Sequence, residues 1–99
     1  MKTRLTWDED KRQSNIAKHG LDFADACLVL ESPYRLDVVA VRNREVRTQS
    51  FSYVFGKLAV LLVVHIERDK ETRVISFRPA SRLETEVYHE WLENDFEYP

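Results

Sequence analysis

KLAVLLVVHIERDKETRVISFRPASRLETEVY, residues 57–88, is the stretch on which the fold turns. It opens with an apolar, β-branched run too short to cross a bilayer, which predicts a central strand buried on both faces. The charged segment ERDKET predicts a hairpin turn, Arg73 to Arg78 a second strand, and Ser81 with Glu84 the capping box of a helix. His65, Arg68, Arg73 and Arg78 therefore gather at one edge of a small sheet. If the hairpin loop has an even number of residues, opposed side chains share a face, which groups His65, Ser76 and Arg78 and sends Arg68 and Arg73 to the other side.

Upstream of this stretch, residues 45–55 alternate as a strand, with Val46, Thr48, Ser50, Ser52 and Val54 on one side. Arg42, Asn43 and Arg44 form the expected turn from a strand over 34–41, and Gly56 and Lys57 turn the chain into the central strand. Ser32-Pro33 ends a second helix, N-capped by Asp22 and running to about Leu30, because proline lacks an N–H and restricts the residue before it. Asp8 as N-cap and Gly20 beyond the C-terminus bound a polar helix over 9–19. Residues 3–7 suggest a short edge strand. Downstream, the helix from Ser81 to about 94 carries Leu83, Val87, Tyr88, Trp91 and Leu92 as the stripe that docks on the sheet, followed by a frayed tail over 96–99. The expected architecture is α+β: one domain, residues 1–99, with a small antiparallel sheet, two N-terminal helices and one C-terminal helix packed on it.

The net charge of −2 conceals a strong asymmetry. Residues 1–34 carry five basic and six acidic side chains, residues 35–82 ten and five, and residues 83–99 none and six, giving −1, +5 and −6. The basic middle reads either as a phosphate-binding surface or as solvated strand faces. MKTRLTWDED has no apolar core of a leader, no run is long enough for a spanning helix, and a lone cysteine forms no internal disulfide, so a cytoplasmic protein without membrane contact is expected. Cys27 falls in the apolar spacing of Phe23, Ala26 and Leu30 and reads as a core residue.

His19, His65 and His89 lack metal-ligand spacing, no cysteines pair, and two glycines cannot make a phosphate-cradling loop, so neither metal nor cofactor is expected. What remains is a set of arginines with a histidine, a tyrosine and nearby carboxylates. Such a set suits cleavage of RNA by its own 2′-hydroxyl, which needs a base, cations on the phosphorane and an acid for the leaving oxygen. Arginines supply the cations, since they stay protonated and grip phosphate bidentately. His65 reads as acid or base, or as a satisfied histidine ending an apolar strand. Tyr88 reads as a proton donor, a stacking ring or a core residue, and the cap alone explains Glu84. Lys11, Asn15 and Lys18 share a helix face with His19 beside them, which also fits a solvated surface.

Trp7-Asp8, Lys11, Asn15, Lys18-His19-Gly20, Phe23 and Ala26 together resemble the opening motif of BrnT-type ribonuclease toxins of bacterial type II toxin–antitoxin pairs. Glu45 and Arg47 as E-x-R, VVHIER at 63–68, RVISFRPAS at 73–81, and Glu84 with Tyr88 extend the resemblance over nearly the whole chain. It implies a RelE-like fold, metal-independent RNA cleavage that arrests translation, and a DNA-binding, BrnA-like antitoxin that mediates any contact with operator DNA. On that resemblance, His65, Arg68 and Arg78 surround the scissile phosphate with Tyr88 nearby. Lys18, His19 and Arg47 carry over from the same motifs to line the RNA, and the +5 middle segment adds Arg44, Lys57, Arg73 and Arg82 along its backbone. Asp69 stands where a glycine often follows the arginine, Pro79 follows Arg78, and the last 17 residues are unusually acidic; Asp69 and the acidic tail imply weakened RNA binding, and with it an attenuated or inactive member of the family. A different class of function also fits: a non-catalytic module that holds the antitoxin and acts with it as corepressor.

Overall fold

The computed structural model describes residues 4–97. Its central strand, β4 (Ala59–Arg68), lies between β3 (Glu45–Val54) and β5 (Glu71–Pro79), with β2 (Leu36–Arg42) and β1 (Leu5–Trp7) at the two edges. The successive pairs β2–β3, β3–β4 and β4–β5 are antiparallel, but β1 runs parallel to β5, pairing Leu5 with Thr72 and Trp7 with Val74. The sheet is therefore mixed, not the antiparallel one expected. A parallel neighbour needs a long crossover, and here everything from residue 8 to residue 70 supplies it. Thr3, which began the expected edge strand, lies outside the described residues, as do Tyr98 and Pro99 of the expected tail.

Two-residue turns close the β2–β3 and β4–β5 hairpins. Asn43 and Arg44 have φ of 52° and 64°, and Asp69 and Lys70 of 51° and 67°. Two successive left-handed residues match the right-handed twist of the flanking strands. Asn43 and Asp69 adopt this region at little cost, whereas Arg44 and Lys70 carry some strain.

The β4–β5 pairing is not continuous. His65 opposes Val74, but Val64 opposes Ser76, so Ile75 is an extra residue in β5 and forms a bulge. A single insertion exchanges the faces beyond it. His65 consequently lies on the face opposite Ser76 and Arg78, contrary to the parity expectation. Arg68 and Arg73, by contrast, share the face of Arg78.

One face of the sheet is covered by residues 21–30. Leu21, Phe23, Ala26, Val29 and Leu30 pack on Val54, Leu61, Val63, Val74 and Phe77, and Trp7 joins them from β1. The expected continuous second helix is instead a 3₁₀ turn, Phe23–Asp25, followed by a one-turn α2, Cys27–Leu30. Asp22 caps it as expected, but its carboxylate accepts from the N–H of Ala24, a tight turn closure. Cys27 is half-buried at the rim of this layer.

α1 (Glu9–His19) has the predicted ends, with Asp8 accepting from the N–H of Lys11 and Gly20 in the left-handed region at φ 69°. Its single buried residue is Asn15. That side chain donates to the carbonyls of Leu21 (2.9 Å) and Phe77 (2.7 Å) and accepts from the N–H of Phe77 (3.2 Å). β1 pairs with β5 only as far as Val74, so Asn15 takes over the strand edge just past the bulge.

α3 (Arg82–Glu97) covers only half of the other face. Tyr88, Trp91 and Leu92 pack with Phe51, Val60 and Leu62. The rest of the expected docking stripe does not dock: Leu83 is 70% exposed and Val87 51%. The helix continues to Glu97, past the expected end.

Candidate nucleic-acid interface

The half of the second face that α3 leaves open is where the arginines converge. Alternation and register place Arg42 of β2, Arg47 of β3, Arg68 of β4, and Arg73 and Arg78 of β5 on this side. A groove of about 300 Å³ is lined by Arg42, Arg47 and Arg78 around a floor of Ala40, Gln49, Val64 and Ser76. Ile75 and Ser76, the bulge residues, also wall a second recess of about 200 Å³ bounded by Lys11, Ser14, Lys18 and His19 of α1. Arg68 and Arg73 line a third, of about 230 Å³, with Thr6, Asp69 and Glu71. The bulge thus joins the arginine groove to the cationic end of α1. Asn15, read in the sequence as a member of that helix face, is the bolt that holds α1 there.

Carboxylates tether two of these arginines. Arg78 grips Glu84 end-on, Nη1 to Oε1 at 2.8 Å and Nη2 to Oε2 at 3.0 Å. Glu84 Oε1 also accepts from the N–H of Ser81 while the Ser81 hydroxyl accepts from the N–H of Glu84, so the predicted capping box is present and is fastened to Arg78. The Arg78 guanidinium holds the Glu84 carboxyl down at about 2, with the Ser81 N–H adding to the shift. Arg47 pairs with Glu45 at 3.1 Å. Arg42, Arg68 and Arg73 have no carboxylate within ion-pair distance among the described residues.

Other expected site residues lie elsewhere. Lys57, in the 3₁₀ turn Phe55–Lys57, is at the end of the sheet away from both tight hairpin turns. Arg44 sits in the β2–β3 turn at the arginine end, and Arg82 projects from the start of α3 toward Glu86. Tyr88 is fully buried and its hydroxyl donates to the carbonyl of Tyr34 at 2.7 Å, which realises the core alternative. Arg42, expected in the turn, is instead the last residue of β2. Its spacing before Asn43-Arg44 was the available signal, since a two-residue turn makes Arg42 the last strand residue.

His65 is 0% exposed. Its Nε2 is 2.7 Å from the Ser50 hydroxyl, which donates its one proton to Asp37 (2.6 Å), so the ring donates to Ser50. Nδ1 lies 2.7 Å from Glu67 Oε1 but off the hydrogen-bond direction. The serine–histidine–carboxylate order imitates a nucleophilic triad, yet Ser50 is sealed from solvent and its proton is committed to Asp37. Arg35 completes the chain on Asp37 at 2.7 Å, and Thr72 on Glu67 at 2.7 Å. This network ties four strands together beneath the basic face. Burial lowers the His65 pKa from 6.5, against the opposing pull of Glu67. The unfolded chain therefore binds that proton first as the pH falls, and stability should decline from pH 6.5 downward until the folded histidine titrates. Urea midpoints across this window should show that slope in the wild type and lose it in His65→Gln; an unchanged slope would refute the assignment.

A small α+β domain with an arginine-lined open sheet face, continuous with a lysine- and histidine-bearing helix end, is the class defined by fold and site. A family model described as "Ribonuclease toxin, BrnT, of type II toxin-antitoxin system" matches residues 7–84. The chain belongs to this family of toxins. No curated protein matches it. No helix among the described residues is long and apolar enough to cross a membrane.

Proposed function

We propose that this protein is a cytoplasmic toxin endoribonuclease with a RelE-like fold, its single domain cleaving RNA without a metal and thereby arresting translation. The observation that carries the reading is the convergence of Arg42, Arg47, Arg68, Arg73 and Arg78 on one open face. The scissile phosphate binds Arg78, with Arg42 and Arg47 across the groove and Arg68 and Arg73 along the backbone. The substrate's 2′-hydroxyl attacks phosphorus, the bond to the 5′-oxygen breaks, and the products are a 2′,3′-cyclic phosphate and a 5′-hydroxyl. Arginine charge offsets the phosphorane in place of a Lewis acid. His19, on the wall of the adjoining recess, is the imidazole beside this face and is suited to proton transfer, whereas sealed His65 is suited to holding the sheet. A BrnA-like antitoxin with its own DNA-binding domain neutralises the toxin and carries it to operator DNA.

Purified protein incubated with total RNA should leave cyclic-phosphate ends, and chelator should not change the rate. Strong inhibition by chelator would reject the metal-free route. Intact RNA with wild type would reject the nuclease and favour the corepressor module, a reading to which the internal pairing of Arg47 and Arg78 with Glu45 and Glu84 lends some support.

A further inference from the structure

Beside the arginine groove lies a second, apolar one of about 190 Å³, lined by Leu36, Val38, Phe51, Leu83 and Val87 with Gln49 and Glu84. Gln49 lines both grooves, and Glu84, on the wall of the apolar one, grips Arg78 on the wall of the other. The two form one continuous surface, apolar at the α3 side and cationic at the hairpin end. Leu83 and Val87 stand one helical turn apart and are largely exposed, and Val38 on the edge strand faces them at 40% exposure. These are the residues of the α3 stripe that the sheet does not cover.

We propose that this composite surface is the seat of the antitoxin, occupied by an amphipathic segment whose apolar side chains fill the Leu83–Val87–Val38 groove and whose carboxylates lie over Arg42, Arg47 and Arg78. The inference deepens the ribonuclease reading and rests on it for its consequence, because the same segment would displace RNA phosphates. Charge selects the occupant. The basic groove next door demands an acidic partner, whereas the nearest carboxylates of this chain are already spent on Arg47 and Arg78. Docking by the apolar anchor alone would leave the arginines open, and acidic residues alone would lack a hold in salt.

The test uses the full chain and its cognate antitoxin. Leu83→Gln with Val87→Gln changes exposed helix positions to a good helix former and should leave RNA cleavage by the free toxin at the wild-type rate. Calorimetric titration should show antitoxin affinity falling at least tenfold, and relief of cleavage should need correspondingly more antitoxin. Arg42→Gln should also weaken the complex and reduce its salt dependence. Unchanged affinity in the double variant, with an unchanged melting temperature, would overturn the proposal. So would loss of the complex on Val39→Gln with Val41→Gln, which lie on β2 away from this groove, or a toxin homodimer that the Leu83/Val87 variant dissociates. If wild-type toxin cleaves no RNA, the ribonuclease reading fails while the titration still decides the docking surface.

Discussion

Arg78→Ala should lower the rate of RNA cleavage by about 100-fold or more while leaving the fold intact, which is the usual loss when one donor to a developing oxyanion is removed. Arg78 has five N–H groups, and Glu84 and the Pro79 carbonyl engage its two terminal nitrogens. Nε–H and the second Nη2–H remain on one edge, in the fork spacing that matches two phosphate oxygens. The carboxylate thus fixes the guanidinium without consuming the edge that would meet substrate. Arg78→Lys keeps the charge but loses both forks, so it should recover only a small part of the rate. Glu84 still holds the Ser81 N–H in these variants, and the melting temperature should fall by only a few degrees. Cleavage by Arg78→Ala at the wild-type rate, measured on matched amounts of folded protein, would show that the chemistry lies elsewhere on the face.

The largest loss of stability should come from Asn15→Leu. The amide satisfies two carbonyls and one N–H in a buried setting, and leucine of similar volume would leave all three without partners. The cost is about 3 kcal/mol, or a fall of roughly 15 °C in melting temperature for a domain of this size. Asn15→Asp should be at least as damaging, since a carboxylate would face the carbonyls of Leu21 and Phe77 without a proton to give. A thermal melt within about two degrees of wild type for Asn15→Leu would contradict this role. Because the same bonds hold α1 against the bulge, partial loosening should also separate Lys18 and His19 from Ser76 and reduce RNA affinity before the domain unfolds.

The local devices of the fold were legible because each depends on neighbours in sequence. Asp8, Gly20 and the Ser81–Glu84 box cap helices through bonds that span a few residues, and the apolar run of β4 announces burial by composition. The family resemblance was legible for the same reason, as short strings in order. Helix two departs from the expected continuous helix because its apolar spacing is a packing signal, and Phe23, Ala26 and Leu30 meet the same core from a 3₁₀ turn and a single α-turn.

Membership in the toxin family, the capped helices and the central hairpin were therefore determined by the sequence itself, since adjacent residues carry their chemistry. Which arginines stand together was decided by the tertiary structure. One extra residue at Ile75, invisible as a pattern because either register satisfies the alternation locally, moves Arg68 and Arg73 to the face of Arg78 and buries His65 on the other. Asn15 then fastens α1 beside that bulge through Phe77, 62 residues away in the chain, and extends the basic face to Lys18 and His19.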